Sequence, residues 1–513
     1  MIDVRRASAL LSSIAVLATL AGAPVRRAEA GNTFSNIKSV ATVNSPGGVH
    51  PNVIGRGYAL KPIATGTDPL ENPSGVITHF GLLSNGTRTE PDENTYLVLN
   101  QNPGGPTPGY DYGEHFLFQG HENGGGLAYV TRINLDVTDP AHRITLLTPV
   151  GPDGKTGFSS IDGSTWNPHT QTLLFTQEAG SSGGVIEITP TWPPVVRTLD
   201  GVLGRAGYEG IHPDDEGNLL LAEDVGGTTI AGGARQPNSF VYRFVPVDST
   251  NLAAGGQLQA LQVTIEGHTL RFNDPATGGS AAGDTLSMYQ LLLHKPGSAW
   301  PLKWVTVHDT AVDGFAPFDA NARAKTVLAT PFKRPENAQF LPDSQFKTFF
   351  FDATGDTSAT AGNQPELAAR GAWGSIFRVD MLDALNGTIA IVVLGDKDHS
   401  SFDNLAFADQ CTLLATEDRG DTLHDQLNTL DSVWAFDICK EGAPAKRLLA
   451  LGQDPEATDE DNEPTGLHIS DGEPSVRRLL GSSSTNMSNM SRWRWFFTQQ
   501  HGVNTVYEIV KSR

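Results

Sequence analysis

Tyr208-Glu209-Gly210-Ile211, then Leu219-Leu220-Leu221-Ala222-Glu223-Asp224, then Phe240-Val241-Tyr242-Arg243-Phe244: this stretch decides the fold. It holds three short runs rich in Leu, Val, Phe and Tyr. An acid opens the first, an acid pair ends the second, and Gly, Asn and Asp separate them, which is the grammar of strands joined by tight turns. The same grammar returns in Asp403-Asn404-Leu405-Ala406-Phe407, Leu413–Asp418 and Val433–Phe436. A third copy opens at Pro335-Glu336-Asn337, continues through Thr348–Asp352 and ends at Ser375–Val379. Weaker copies run from Phe116–Glu122 to Ala128–Leu135, from Leu173–Glu178 to Val185–Ile188, and from Glu463-Pro464-Thr465-Gly466 through Trp495–Gln499 to Thr505–Ile509.

Six strand–acid–turn–strand units at such spacing predict an all-β chain, a β-propeller of about six blades with insertions. A pair of β-sandwich domains is the alternative. The C-terminal strand near Val506 is expected to complete a blade begun by the N-terminus, which leaves no long open edge. Residues 31–513 read as one elaborated domain. Residues 247–330 form an insertion with helical pieces near Leu286–His294 and Asp319–Leu328, expected with the acid-rich loop Asp454–Glu463 at the channel mouth. That loop reads either as solvated or as calcium-binding.

Composition agrees. Of 513 residues, 55 are Gly and 32 Pro, which is turn-rich yet short of low complexity. The formal charge of −21 argues against a nucleic-acid scaffold, which is gripped by excess Lys and Arg. Residues 1–30 read as a removed signal peptide: Arg5-Arg6, an apolar run from Ala9 to about Ala23, and the small-residue pattern Ala28-Glu29-Ala30. The run is too short for a membrane span, and Arg5-Arg6 leaves the twin-arginine route open. An exported (periplasmic or extracellular) monomer is expected. Cys411 and Cys439 flank two strand-like runs and pair as a disulfide or lie as buried thiols.

In a propeller the first strand of each blade faces the channel, so repeated acids converge on the axis. Glu209, Glu336, Asp403 and Glu463 sit at one repeat position; Glu122, Glu178, Glu223, Glu417 and Asp418 sit at another. A ring of carboxylates must be protonated, paired or filled by cations. An oxygen-rich set suits a hard ion, calcium first; turn capping is the other role for each acid. Arg334, two residues before Glu336 on an extended segment, points the same way and serves either a phosphate oxygen or an ion pair. His121, His212 and His501 read as structural before they read as ligands.

At these motifs the chain resembles the PhoX-type alkaline phosphatases, exported β-propellers with an iron–calcium centre. The matching stretches are Gly204–Glu209 with Leu221–Asp224 and Tyr242-Arg243-Phe244; Arg334-Pro335-Glu336; Asp403–Phe407 with Thr416-Glu417-Asp418; and Glu463–Gly466 with Gln499-Gln500-His501. The resemblance implies metal ligation by Glu178, Glu209 and Glu336, a phosphate contact from Arg334, and Thr465 in the same centre. It implies a small phosphorylated substrate. Where the family carries Thr-Cys-Glu-Glu, this chain has Thr176-Gln177-Glu178-Ala179, and Tyr208 stands where the family has a His. An amide does not replace a soft thiolate at iron, so the resemblance supports calcium better than iron. The expected activity is that of an exported metal-dependent phosphatase. A non-catalytic calcium-stabilised propeller and a calcium-dependent lactonase-like hydrolase are the alternatives.

Overall fold

The stretch quoted first folds as one blade. Tyr208–Pro213 pairs with Leu219–Glu223, that strand with Val241–Pro246, and that with Gly256–Ile265, all antiparallel. Alternate residues of a strand point to opposite faces, and here both faces are buried. Leu219 and Leu221 pack with Leu174 and Val185 of the preceding repeat, whereas Leu220 and Val241 pack with Phe349 and Phe351 of the next. This is why the strands read as nearly continuous apolar runs rather than as an alternating pattern.

The computed structural model describes residues 34–38, 51–452, 463–483, 490 and 492–512; the signal-peptide reading of 1–30 and nearly all of the acidic loop at 454–463 lie outside them. The inner strands of blades I to VI are Glu90–Val98, Ile161–Asn167, Tyr208–Pro213, Ala338–Phe340, Phe402–Phe407 and Glu463–Ser470. Six apolar wedges join successive blades, and the last, with Phe496 and Val506 against Tyr96 and Leu117, joins blade VI to blade I. The ring therefore closes through its cores, as a propeller rather than as two sandwiches. It also closes through hydrogen bonds: Thr505–Lys511 near the C-terminus pairs with Tyr58–Ala64 near the N-terminus inside blade VI. Val53–Ile54 adds to the outer edge of blade V.

The insertion is placed differently from expectation. Its strand Ala299–Asp309 bridges Gly256–Ile265 and Asn386–Leu394, the outer strands of blades III and IV, and fuses the two blades into one ten-stranded sheet. Two outer edges are thereby paired instead of exposed, and this strand lies at the outer rim, not at the channel mouth. The two helical pieces expected there are Met288–Leu293 and Ala320–Thr326, the second capped by the Asp319 carboxylate accepting from the Ala322 N–H, and the shorter helices Ala281–Thr285 and Thr310–Asp313 join them.

Cys411 and Cys439 form a disulfide that ties the ends of two paired strands in blade V, next to the Thr412–Asp437 pair. It closes a loop with a separation of 28 residues. The Cys411→Ser/Cys439→Ser protein is expected to lose about 2–4 kcal/mol of unfolding free energy in denaturant titration. An unchanged midpoint would show that the ladder alone holds this edge.

Candidate metal centre

Five of the six inner strands slip register near their start, after the first residue in blades II, III and V, the second in blade I and the third in blade VI. Such bulges kink a strand and re-aim its side chains. The residues spanned are Asp92-Glu93, Asp162-Gly163, Glu209-Gly210, Asp403-Asn404 and Gly466-Leu467, with Thr465 just before the last pair. Glu336-Asn337 leads into the short inner strand of blade IV at the matching position. Gly163 and Gly210 let neighbouring inner strands approach: a Cβ at Gly163 would lie 2.2 Å from the Glu209 carbonyl oxygen, and one at Gly210 would lie 2.8 Å from Asn337 Cα.

This packing assembles three overlapping carboxylate triads: Asp92–Glu122–Asp162, Asp162–Glu178–Glu209 and Glu209–Asp224–Glu336. Within each, one oxygen per residue lies within 4.8 Å of the others. Each triad joins two adjacent inner strands through the acid that follows the second strand or ends it. Asp162 and Glu209 belong to two triads each. Around the rest of the ring Asp403 keeps an acid in blade V, and neutral groups stand at the two ends of the triad run. The Thr354 hydroxyl donates to Glu336, the Thr465 hydroxyl donates to Asp92, and Gln500 Nε2 donates to Asp92 Oδ2 at 3.0 Å. The triads line one half of the channel, and alcohols and an amide of the more neutral half donate to Glu336 and Asp92 at its two ends.

Electrostatics follow from that crowding. Burial, then the carboxylates of Asp92 and Glu178, pushes Glu122 well above the ordinary range. Burial, then Glu336 and Asp162, does the same to Glu209. Burial, then Asp224 and Glu336, raises Glu178. Glu336 rises to about 7, through burial and Asp224 against the opposing pull of Arg334. Below the ring, Glu93 rises to about 8, mainly through burial, while it accepts from the Ser164 N–H at 2.6 Å and from Asn337 Nδ2.

Arg334 sits at the end of the third triad with φ +57°, a left-handed backbone that turns its side chain into the channel. Its Nε and Nη2 both reach Asp224 Oδ2 at 2.7 Å; Nη2 lies 3.3 Å from Glu336 and 4.0 Å from Asp418. Burial works against its charge, but Asp224 and Glu336 outweigh that and hold its pKa above the ordinary value. The ion-pair reading of Arg334 is therefore realised, with acids of three blades.

A family model described as alkaline phosphatase PhoX matches residues 148–459, more than half of the chain. The chain belongs to the PhoX alkaline phosphatase family. Among solved structures it is similar to the Pseudomonas fluorescens PhoX, determined in complex with vanadate, a transition state analogue: TM-score 0.54 and 14% identity over 93% of this chain and 98% of that one. It is also similar to a gluconolactonase from Xanthomonas campestris, with TM-score 0.40 and 9% identity over 92% and 97% of the two chains. No curated protein sequence matches it.

Of the residues that sequence placed in a PhoX-like centre, Glu122, Glu178, Glu209 and Glu336 lie in the triads, with Arg334 against them and Thr465 on Asp92. Glu463 is in none of the triads found among the described residues; it faces His501 at 3.8 Å. By register, the position held by Asp92, Asp162, Glu209 and Asp403 falls in blade VI on Gly466, just after the Thr465–Thr498 pair, so neither Glu463 nor Thr465 holds the repeat position. Glu223 and Glu417 also differ from expectation. Glu223 accepts from Tyr242, Asn321 and the Phe240 N–H, and Glu417 from Arg419 and the Ser400 N–H; Asp224 and Asp418 are the residues that reach Arg334. His121 is structural, bonded to Thr131 at 2.9 Å and stacked on Tyr129. His212 lines a separate cavity of about 130 Å³ at the other ends of the inner strands.

Proposed function

We propose that the protein is an exported, calcium-dependent phosphoric ester hydrolase acting on small phosphorylated substrates. The observation that carries this reading is the run of three overlapping carboxylate triads ending at the Arg334 guanidinium. Seven acids supply only oxygen donors, a set that suits hard cations. The residues that would hold calcium are Asp92, Glu122, Asp162, Glu178, Glu209, Asp224 and Glu336. Bound there, calcium would polarise a phosphoryl oxygen and orient the ester.

Thiolate-bridged iron does not fit this chain. Gln177 stands at the thiol's position and its Oε1 accepts from the Ser159 N–H; no step is assigned to iron. The same substitution favours one second reading, a calcium-stabilised propeller that binds without turnover.

Asp224 and Glu336 orient the Arg334 fork, so that its planar donors can meet a phosphoryl oxygen as charge builds there. Thr465 is a positioning residue, fixing Asp92 from the neutral half of the ring. The Cys411–Cys439 disulfide suits an oxidising compartment and supports export.

Calcium-loaded protein is expected to hydrolyse p-nitrophenyl phosphate, and Arg334→Ala to lower kcat/KM by roughly 100- to 1,000-fold. Calcium binding without turnover, from neutral to alkaline pH, would overturn the hydrolase in favour of the binding propeller.

A further inference from the structure

Between the second and third strands of blade III, residues 225–238 rise beside the third triad as a short hairpin. The Ile230 N–H donates to the Ala234 oxygen, the Gln236 N–H to the Thr228 oxygen, and Thr229 pairs with Arg235. Ile230 and Ala234 pack on Ala361, Leu367 and Ala372 of blade IV, so the hairpin is held on both sides.

Arg235 lies at its base. The Arg235 N–H donates to Asp356 Oδ1 at 2.9 Å, and Asp356 also takes both hydrogen bonds of the buried Lys333 ammonium, at 2.9 and 2.8 Å. Lys333 precedes Arg334 in the chain. One buried ion pair therefore fixes the backbones of both arginines.

The guanidinium is positioned as well. A Cβ at Gly226 would sit 2.7 Å from Arg235 Nη1, so the group lies in the space that this glycine leaves open. Gly226 is two residues after Asp224, at most about 7 Å along an extended chain, and Asp224 is the carboxylate that Arg334 grips. Among the described residues no carboxylate lies within ion-pair distance of the Arg235 guanidinium, which sits against Gly226, two residues from the Asp224 end of the third triad. Arg334 shares its charge with Asp224 and Glu336, which orient it; Arg235 has no carboxylate partner among the described residues. A fork of donors held in place without a counter-ion is matched to a planar or tetrahedral oxyanion.

We propose that Arg235 forms a second phosphate subsite, which selects substrates carrying a second phosphoryl group on the leaving side, of the condensed-phosphate class. This rests on the hydrolase reading for its catalytic consequence, though not for binding. In that reaction a water oxygen bonds to the phosphorus beside Arg334, and the bridging P–O bond breaks. The electron pair stays on the departing phosphate, whose charge the Arg235 fork would balance, and the water proton passes to solvent.

The test is calorimetry on the calcium-loaded full-length protein, titrated separately with pyrophosphate and with inorganic phosphate. The unaltered protein is expected to bind pyrophosphate at least about tenfold more tightly than phosphate, as one charge-assisted contact would supply. In Arg235→Ala that ratio should fall to within about twofold of unity, and Arg235→Lys should recover part of it, because an ammonium keeps the charge but not the fork. A ratio near unity in the unaltered protein, or one unchanged in Arg235→Ala, would overturn the subsite. Thermal melts of both variants show whether the hairpin is intact, and Arg235→Gln, which keeps the backbone bond to Asp356, serves if Arg235→Ala does not fold. Failure of the hydrolase reading is seen separately, as absence of ester turnover alongside the expected binding ratio.

Discussion

Stripping divalent cations is expected to lower the thermal midpoint more at pH 8 than at pH 5, with added calcium restoring it most at pH 8. Glu122, Asp162, Glu178 and Glu209 all have carboxyl pKa values raised well above the usual range by burial and then by neighbouring carboxylates, Asp92, Asp224 and Glu336 foremost. Glu336 rises from 4.5 to about 7. A carboxyl whose pKa is raised in the folded chain favours folding below its unfolded pKa, and that contribution is lost as pH rises through the folded value. For the cation-free protein the loss therefore runs from about pH 4.5 to about pH 7 at Glu336, on the order of 3 kcal/mol at that group alone, and further upward for its neighbours. Calcium needs the ionised form, so its binding releases protons and strengthens over the same window. The gap between loaded and stripped midpoints should widen by several degrees from pH 5 to pH 8. A stripped midpoint that does not fall across this range, with an equal calcium shift at both ends, would mean that the acids are not the cation site.

Much of this arrangement is legible in the sequence because the same physics repeats. A blade strand buried on both faces has to be apolar almost throughout, so Leu219–Leu221, Phe349–Phe351 and Leu413–Leu414 announce themselves. An acid just before such a run then stands out, which is how Glu209, Glu336 and Asp403 are found. Asp92 and Asp162 are harder. Asp92 sits in Glu90-Pro91-Asp92-Glu93, where no apolar background sets it off. Asp162 is marked by Ile161-Asp162-Gly163, which repeats the Tyr208-Glu209-Gly210 order, with glycine required because a Cβ would strike the neighbouring strand. The glycine after the acid is the missed signal.

Blade VI shows the limit of a period-two reading. Glu463 and Thr465 lie two apart along the strand, and only the Thr465–Thr498 pair shows that the position of the other acids falls on Gly466, between Thr465 and Leu467. Neutral donors to an acid are invisible to a search for acids, so the neutral half of the ring, with Thr354, Thr465 and Gln500, emerges only from the fold.

Glu209→Gln is expected to have the largest effect of any single carboxylate change, and in two opposite directions. Glu209 is shared by two triads, so removing its charge weakens two adjacent cation positions with one nearly isosteric substitution. Calcium affinity should fall by at least about 100-fold, and at least one equivalent should be lost from the loaded protein by elemental analysis. Any ester turnover should fall with it. The cation-free variant, by contrast, should melt higher than the cation-free parent at pH 8, because one of several mutually repelling buried carboxylates is gone. Glu463→Gln should change calcium affinity by no more than about twofold, since Glu463 faces His501 and belongs to none of the triads found among the described residues. A variant that had merely lost packing at Glu209 would melt lower both with and without calcium. The crossed result, stabilised when stripped and destabilised relative to the parent when loaded, requires that Glu209 be a buried charge tolerated for the sake of a cation.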